Sequence, residues 1–249
     1  MLSVLLNLMD RLICPDIFDG YINPVREPGR GFFSNGVKAF FTRKSLGADI
    51  ERISNILSIK KDDVFLPVQK HTDKVLVIDS DLESLIADAV VTKRRGILIG
   101  VQVADCVPIL LFDRRNSIIG AVHAGWRGTA AQIVKKTIKS MFKYFRSSPQ
   151  DIIIALGPSI RWDCYDVDSE VKDDIYKATG DGRYYKATGD GKYCVDLSSA
   201  NMYQALSIGI PEENIWSSNE CTYCSPDEYH SYRYCKDHNG RQGGFIGIF

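Results

Sequence analysis

Short apolar runs alternate along the chain with segments whose apolar residues recur at helical spacing. The runs are rich in β-branched and aromatic residues and are bounded by turn-forming residues, which is typical of strands. Strands are predicted over VKAFFT, DVFLPVQKH, KVLVID, GILIGVQV, VPILLF, SIIGAV, DIIIALGPSI and the end of the C-terminal tail. Helices are predicted over ADIERISNILSIK (48–60), about 129–145 and LSSANMYQALSIGI, and SLIADAVVT fits either type of element.

Length and composition are those of an ordinary globular protein. The 249 residues suffice for one large domain or two small ones, and 45% of them are hydrophobic and 25% charged. The 31 basic and 31 acidic residues cancel. There is therefore no excess positive charge of the kind that binds nucleic acid or an anionic membrane, and we expect neither as a partner.

The cysteines indicate a reducing compartment. Their number, seven, is odd, and no secretion signal precedes them, which favours reduced thiols in the cytoplasm over a disulfide framework. The apolar start MLSVLLNLMDRLIC lacks a basic region and is interrupted by Asp10 and Arg11. It is too short to span a bilayer, so we predict a packing helix or strand, with a signal peptide as the alternative. Residues 1–36 are predicted to be an irregular N-terminal extension.

A tandem repeat occupies residues 176–193, where YKATGDGRY is followed at once by YKATGDGKY. A nine-residue unit that occurs twice is too short for a solenoid. We interpret it as a local duplication in a surface loop, in which the Gly-Asp-Gly segments form turns and a solvated hairpin.

The two strands on either side of DRRN (113–116) are predicted to form a hairpin. If DRRN is a four-residue loop, Phe112 pairs with Ser117, and Cys106 lies directly opposite His123. Opposite residues share a face of the sheet and have Cβ atoms about 4.5–5.5 Å apart, whereas a slip by one residue would separate the faces. The hairpin thus brings together a thiolate and an imidazole that can share a metal ion or form a dyad.

His71, in LPVQKHTDKV, is the candidate for a third metal ligand, because it lies at a predicted strand end among polar residues. Two histidines and one cysteine leave the fourth tetrahedral position of zinc open, which is typical of a catalytic site. The alternative is a buried Cys106, a hydrogen-bonded His123 and a surface His71.

A second group of cysteines has the spacing of a structural zinc site. Cys221-x-x-Cys224 is followed by Cys235-x-x-His238, with ten residues between the two pairs. The alternative is a set of reduced structural thiols.

Five motifs occur in one order along the chain: QKHTDKV, ADCVPILLFD, AVHAGWRGT, GPSI…CYDV and CTYCSPDEYHSYR…GRQGGFI. From about Val37 onward, the chain resembles the laccase-domain family, also called polyphenol-oxidase-type or peptidoglycan-editing-factor proteins. The resemblance implies a catalytic domain over 37–249 with an α/β (mixed α+β) fold, in which mixed β-sheets are flanked by helices. It implies purine nucleoside phosphorylase, adenosine deaminase and methylthioadenosine phosphorylase activities. It also implies metal ligands at His71, Cys106 and His123, with zinc as the metal and copper as a possibility.

The sequence departs from the family pattern at two places near the expected pocket. Only KSLG follows Thr42 and Arg43, where the family usually has a Gly-rich loop that ends in Ser-Leu-Asn. The usual Ser-Tyr-Arg-Arg is here SYRY, which retains Arg233 and loses the second arginine. The shortened loop bears on substrate recognition.

For deamination, a zinc-activated water attacks C6 of adenine and a carboxylate shuttles the proton. Asp105 is the nearest candidate by sequence, although regular alternation would point it away from Cys106, so a bulge or a strand end at 104–105 is needed. Asp105 can instead orient a backbone or a group that supports a metal ligand.

For phosphorolysis, an arginine is needed that holds phosphate with two hydrogen bonds. Arg127 follows His123 at a predicted helix start, where backbone N–H groups also favour anions. Arg43 and Arg233 are further candidates, and for each arginine the alternative is a structural salt bridge. Gln69 and Ser231 are candidates for binding the sugar or the base.

Two other activities compete with the nucleoside enzyme. One is a metal-free cysteine hydrolase or deamidase, with Cys106 as nucleophile and His123 as base. The other is a copper-dependent polyphenol oxidase. Four histidines in the whole chain are too few for a blue-copper centre together with a multinuclear copper cluster, so the multicopper type is disfavoured.

Overall fold

The chain forms three β-sheets with helices on their outer sides. The structure, a computed structural model, describes residues 25–26, 33, 36–79, 82, 85–236 and 240–249. Within these residues the strands are β1 (Val25–Arg26), β2 (Val37–Thr42), β3 (Val64–Phe65), β4 (Val75–Ile78), β5 (Ala89–Thr92), β6 (Leu98–Val103), β7 (Val107–Asp113), β8 (Ile118–Ala124), β9 (Ile152–Leu156), β10 (Asp166–Val167), β11 (Tyr185–Gly189), β12 (Lys192–Val195), β13 (Ile215–Ser217) and β14 (Gln242–Ile248).

The α-helices are α1 (Ile50–Leu57), α2 (Trp126–Ala130), α3 (Ile133–Phe145), α4 (Ser169–Thr179), α5 (Leu197–Leu206) and α6 (Tyr232–Cys235), and short 3-10 turns connect several of the elements. The first sheet has the strand order β1-β2-β14-β6-β3, the second β13-β9-β7-β8-β5-β4 and the third β10-β12-β11. The first and second sheets each combine parallel and antiparallel pairs. The predicted mixed α/β architecture is confirmed.

The second sheet lies at the centre of the molecule, because both of its faces are covered. Successive residues of a strand point to opposite faces. Leu110 on β7 packs in one core with Ile99 of the first sheet. Ile109, next to it, packs in another core with Ile133 and Ile138 of α3. A strand that is buried on both faces gives a continuous apolar run, which explains the pattern of VPILLF.

The β7–β8 hairpin has a register that differs by two residues from the prediction. Asp113 is the last residue of β7 and pairs with Ile118, so that Pro108, and not Cys106, lies opposite His123. The carboxylate of Asp113 is buried and accepts hydrogen bonds from the backbone N–H groups of residues 115 and 116. Asp113 thus closes the turn from the strand side, and the four turn residues become 114–117. A shift by two residues preserves the face, so Cys106 and His123 still lie on one side of the hairpin.

The helix predicted over about 129–145 is two helices. Gln132, between α2 and α3, has a φ of 60°, which interrupts regular helix geometry. Its side chain donates a hydrogen bond to the carbonyl oxygen of Ala178, 2.7 Å away. Tertiary contacts therefore fix a break that the helical spacing of apolar residues does not reveal.

Three further segments can be compared with the sequence prediction. The strand predicted over DVFLPVQKH is regular only over β3, after which the chain leaves the first sheet. SLIADAVVT, left open between helix and strand, contains β5. The predicted helix over 48–60 is confirmed as α1, which begins after the N-cap Asp49.

The two copies of the tandem repeat fold differently. The first copy, 176–184, ends α4 at Gly180 and continues into a 3-10 turn. The second copy, 185–193, forms β11, a turn at residues 190–191 and the start of β12. The predicted hairpin is therefore confirmed for the second copy and wrong for the first. Eight of nine residues are the same in both copies, so the neighbouring structure, and not local propensity, decides between helix and strand.

Most of the predicted N-terminal extension, 1–36, and the apolar stretch 1–14 lie outside the described residues. Within that extension, Val25 pairs with Thr42 and Arg26 with Phe41 at the edge of the first sheet. Among the described helices, none has the length and apolar character that a bilayer crossing requires.

Gly157, directly after β9, should not tolerate a side chain. A Cβ atom at this position would lie 2.3 Å from Cδ1 of Phe41, whose buried ring stacks on Trp216. We expect Gly157→Ala to lower the free energy of unfolding by about 1–3 kcal/mol through overpacking, as measured by urea denaturation.

The Phe41→Leu exchange provides the control for this prediction. In a double-mutant cycle, Gly157→Ala should cost less in the Phe41→Leu background, because the smaller side chain leaves room for the methyl group. Strictly additive effects would contradict the proposed contact.

Candidate active site and metal centre

Three potential metal ligands converge where the chain crosses from the first sheet to the second. His71 lies in the connection between β3 and β4, and Cys106 in the connection between β6 and β7, and both connections join these two sheets. His123 is near the end of β8. One ligand atom from each of the three residues lies within 4.8 Å of the others. The structure thus brings together the three residues that the sequence singled out.

Unusual backbone conformations aim these side chains. His71 has a φ of 56° and Asp105, next to Cys106, a φ of 83°, both in the left-handed region that non-glycine residues rarely adopt. Gly125 follows β8 and faces the site. A Cβ atom at Gly125 would lie 2.9 Å from Sγ of Cys106 and 3.2 Å from Cδ2 of His71. The absence of a side chain at this glycine therefore keeps the space for the two ligands.

Asp88, which precedes β5, holds two of the ligands in place. Its buried carboxylate accepts hydrogen bonds from Nδ1 of His123 (2.8 Å) and from the backbone N–H of His71 (3.0 Å). It also accepts bonds from the N–H groups of Lys70 and Thr72 and from the Thr72 hydroxyl. Burial raises the pKa of this carboxyl, but the bonds from His123 and Thr72 outweigh burial and hold the pKa well below its usual range. Asp88 is therefore ionised at neutral pH.

Cys106 and His123 stabilise each other's charged forms. Burial raises the pKa of the Cys106 thiol, but the charge and hydrogen bonds of His123, and then of His71, lower it to about 6. Burial lowers the pKa of His123, but the Cys106 thiolate and Asp88 raise it to about 9. Without a metal ion, the pair is therefore a thiolate and an imidazolium at neutral pH.

The donor set fits a soft or borderline divalent metal ion. Asp88 occupies Nδ1 of His123, which leaves Nε2 as the coordinating atom, and a carboxylate behind a ligating histidine is a common support in metal sites. Nε2 of His71 lies 4.0 Å from Sγ of Cys106. Two imidazoles and one thiolate are ligands of both zinc and copper.

Asp105 lies beside the site with both carboxylate oxygens engaged. Its predicted role requires a break in the strand. Residues 104–106, between β6 and β7, form such a break. One oxygen accepts a hydrogen bond from Oγ1 of Thr222 (2.6 Å) and the other from the backbone N–H of Arg233 (2.7 Å). This geometry matches the supporting role that the sequence left open as the alternative to a proton shuttle.

The three candidate arginines differ in their partners. Arg43 forms ion pairs with Glu220 and Glu228, and Arg233 forms one with Asp166. These are the structural salt bridges that were the alternative to phosphate binding.

Arg127 is exposed, and its guanidinium lies 4.3 Å above the ring of Trp126. Among the described residues it has no carboxylate partner within ion-pair distance. Its charge is therefore the most available of the three for an anionic substrate.

Gln69 and Ser231 are used by the fold itself. The side-chain amide of Gln69 donates to the carbonyl of Gln102 and accepts from its N–H, both at 2.8 Å, as a neighbouring strand would. The hydroxyl of Ser231 is buried and caps α6 by accepting a hydrogen bond from the N–H of Tyr234. Both side chains are thus engaged by the fold, and their contacts with a sugar or a base stay a prediction.

Sequence reasoning missed two residues of the site. Asp88 is a buried acid inside the apolar stretch SLIADAVVT, and a buried carboxylate is a signal for a network of hydrogen bonds. Tyr165 stacks near Arg233, with 5.2 Å from the guanidinium carbon to the ring centre. Burial first, and then the charges of Cys106 and Asp105, raise the pKa of Tyr165. Its hydroxyl is thus a proton donor throughout the neutral range.

Comparison with known proteins identifies the family. The family described as multi-copper polyphenol oxidoreductase laccase matches residues 42–249, and the chain belongs to it. A purine nucleoside phosphorylase of Clostridium acetobutylicum is 35% identical over 214 residues, which are 85% of this chain and 87% of that protein.

An adenosine deaminase named RL5, from an unknown prokaryotic organism, is 35% identical over 205 residues, which are 78% of this chain and 77% of that protein. The crystal structure of YlmD from Geobacillus stearothermophilus superposes with a TM-score of 0.86 at 28% identity, over 94% of this chain and 99% of that one. The resemblance deduced from the sequence motifs is confirmed, as is the fold that it implies.

The Cys106 thiol should react as a thiolate at low pH in the metal-free protein. Because the thiolate is the nucleophile and the pKa of Cys106 is about 6, alkylation by iodoacetamide should be half-maximal near pH 6. The modified peptide is quantified by mass spectrometry across a pH series.

The His123→Gln variant is the control, since it lacks the imidazolium and should shift the half-point to higher pH. A wild-type half-point above pH 8, as in a free cysteine, whose pKa is about 8.5, would contradict the ion pair.

Proposed function

We propose that the protein is a zinc-dependent purine nucleoside enzyme. It acts by phosphorolysis of adenosine, inosine or methylthioadenosine, by deamination of adenosine, or by both. The observation that carries this proposal is the convergence of the ligand atoms of His71, Cys106 and His123 within 4.8 Å of one another. The names of the relatives support the choice of substrate class. Because these thiols must stay reduced, we also propose that the protein works in the cytoplasm.

Zinc is favoured by a donor set that leaves one tetrahedral position open. A zinc ion held by the three side chains would supply Lewis acidity and, for deamination, an activated water. Asp88 fixes the orientation of His123 and also the backbone of His71, so the ligands are arranged before the metal binds. Such preorganisation reduces the cost of ordering the ligands.

Arg127 is proposed to bind the phosphate substrate. Its planar guanidinium can give two parallel hydrogen bonds to a phosphate, and stacking on Trp126 limits the directions in which the group can point. In phosphorolysis, a phosphate oxygen forms a bond to C1′ of the ribose and the bond from C1′ to the purine nitrogen breaks. The departing purine takes up a proton from solvent, and the hydroxyl of Tyr165, which stays protonated because its pKa is raised, would serve as a hydrogen-bond donor.

Asp105 is proposed to position Cys106 and not to shuttle protons. Its two oxygens accept hydrogen bonds from Thr222 and from the backbone of Arg233. These bonds hold the left-handed backbone that turns Cys106 into the site. In this role both carboxylate oxygens serve the backbone that carries Cys106.

A cysteine hydrolase is the second candidate, and one observation favours it. Asp88, His123 and Cys106 are connected in the order acid, base, nucleophile, which is the arrangement of a catalytic triad. His71 has no role in such a triad, whereas it completes a metal site. The two functions make opposite predictions for chelators.

Product analysis tests the proposed function. We expect the zinc-loaded chain, incubated with adenosine, to give adenine only in the presence of phosphate, inosine by deamination, or hypoxanthine by both reactions. Removal of the metal by a chelator should abolish activity and zinc should restore it, while Cys106→Ser should be inactive and Cys235→Ser, outside the site, active. A metal-loaded protein without any purine product, or chelator-resistant hydrolysis of an amide or ester that alkylation abolishes, would overturn the proposal.

Replacement of Arg127 should lower the kcat/KM for phosphate more than the rate of any reaction that uses the nucleoside alone. A charged hydrogen bond contributes about 1.5–3 kcal/mol, so Arg127→Ala should lower kcat/KM for phosphate by about 10- to 100-fold, and any phosphate-independent deamination should persist. Arg114→Ala, in the β7–β8 turn at the other end of the hairpin, is the matched control and should behave as wild type. Equal losses in the two reactions would assign Arg127 a general structural role.

A further inference from the structure

A second group of potential metal ligands lies apart from the site described above. Cys164, Cys221 and Cys224 place their sulfur atoms within 4.8 Å of one another, and those of Cys164 and Cys224 are 3.1 Å apart. Cys164 ends a 3-10 turn before β10, and the other two cysteines lie in the loop that follows β13. Residues that are 60 positions apart in the chain thus form one cluster of three thiols.

The backbone around Cys221 is arranged to stabilise a thiolate. The N–H of Arg161 points at its sulfur from 3.4 Å. Hydrogen bonds of this kind favour the charged form of the acceptor. In metal sites, similar bonds from outside the ligand shell orient the ligands. The backbone N–H of Arg161 is thus placed to stabilise a thiolate at the first cysteine of the C-x-x-C turn.

Negative charge would accumulate at this cluster if its thiols ionised. Like charges this close oppose each other's ionisation, and Asp163, beside Cys164, adds negative charge to the same place. Three thiolates can coexist at these distances only around a cation. An odd number of thiols also leaves one unpaired if two form a disulfide.

We propose that Cys164, Cys221 and Cys224 bind a second zinc ion whose role is structural. Three cysteines supply three of the four tetrahedral ligands of zinc, and the exposure of Cys224 lets a water molecule take the fourth position. The role is assigned as structural because the ion would fix the C-x-x-C turn. The sequence-based alternative paired Cys221 and Cys224 with Cys235 and His238. The structure instead brings Cys164 to them, Cys235 is not part of the group of described ligands, and His238 lies outside the described residues.

The second zinc ion would act on the active site through Thr222. This residue lies between the two cysteines of the C-x-x-C turn, and its hydroxyl donates to the carboxylate of Asp105 at 2.6 Å. Its N–H also donates to the carbonyl of Ser159. Asp105 precedes Cys106, so a metal ion that fixes the turn also fixes the backbone that presents the first site's thiolate.

Metal counting on the full chain tests the proposal. The chain is purified under reducing conditions with added zinc, and bound metal is measured by mass spectrometry. Wild type should bind two zinc ions per chain, and Cys224→Ser and His71→Ala should each bind one. Cys235→Ser, which changes an exposed cysteine outside the group, should still bind two. Because Cys224 is exposed, its serine variant is expected to fold, as circular dichroism can verify.

X-ray absorption identifies which site remains. In His71→Ala, the remaining zinc should have three sulfur neighbours at about 2.3 Å, and in Cys224→Ser it should have one sulfur and at least two nitrogens. One zinc in wild type that Cys224→Ser leaves unchanged would overturn the proposal. A disulfide between Cys164 and Cys224 in the reduced, zinc-supplied protein would overturn it as well.

Discussion

The buried carboxylate of Asp88 is the interaction on which the site depends. Its two oxygens accept five hydrogen bonds, from the N–H groups of residues 70–72, the hydroxyl of Thr72 and Nδ1 of His123. A buried charge is costly unless hydrogen bonds satisfy it, and here two of the five bonds come from candidate ligands, namely the backbone N–H of His71 and Nδ1 of His123. Removing this one carboxylate would leave unpaired N–H groups under His71 and free the ring of His123 to rotate.

The site exists only when both large sheets are formed. His71 and Cys106 lie on separate connections from the first sheet to the second, and His123 lies on a strand of the second sheet. The unfolded chain therefore has no preformed site, and a metal ion held by these three residues would stabilise the folded state. Mutations in the core between the sheets can lower metal affinity without touching a ligand, because they change the spacing of the two connections.

The sequence predicted the three candidate ligands, but one step of the reasoning, the register of the β7–β8 hairpin, is corrected by the structure. The predicted pairing of Cys106 with His123 is wrong by two residues, since the carboxylate of Asp113 extends β7 into the expected loop. The face is right, because the side-chain period of a strand is two. The role of Asp88 and the joining of Cys164 to the C-x-x-C turn depend on contacts between distant segments. Neither spacing nor periodicity records such contacts.

The tandem repeat gives the chain a place where its length can change. The second copy forms the β11–β12 hairpin, whose turn at residues 190–191 is exposed, and β11 is an edge strand of the small third sheet. Exposed hairpin tips accept inserted residues more readily than covered segments. A fluorophore or an epitope could therefore label the molecule at a position outside both cysteine-containing sites. For the same reason, a duplication at this turn is expected to leave the two sites unchanged.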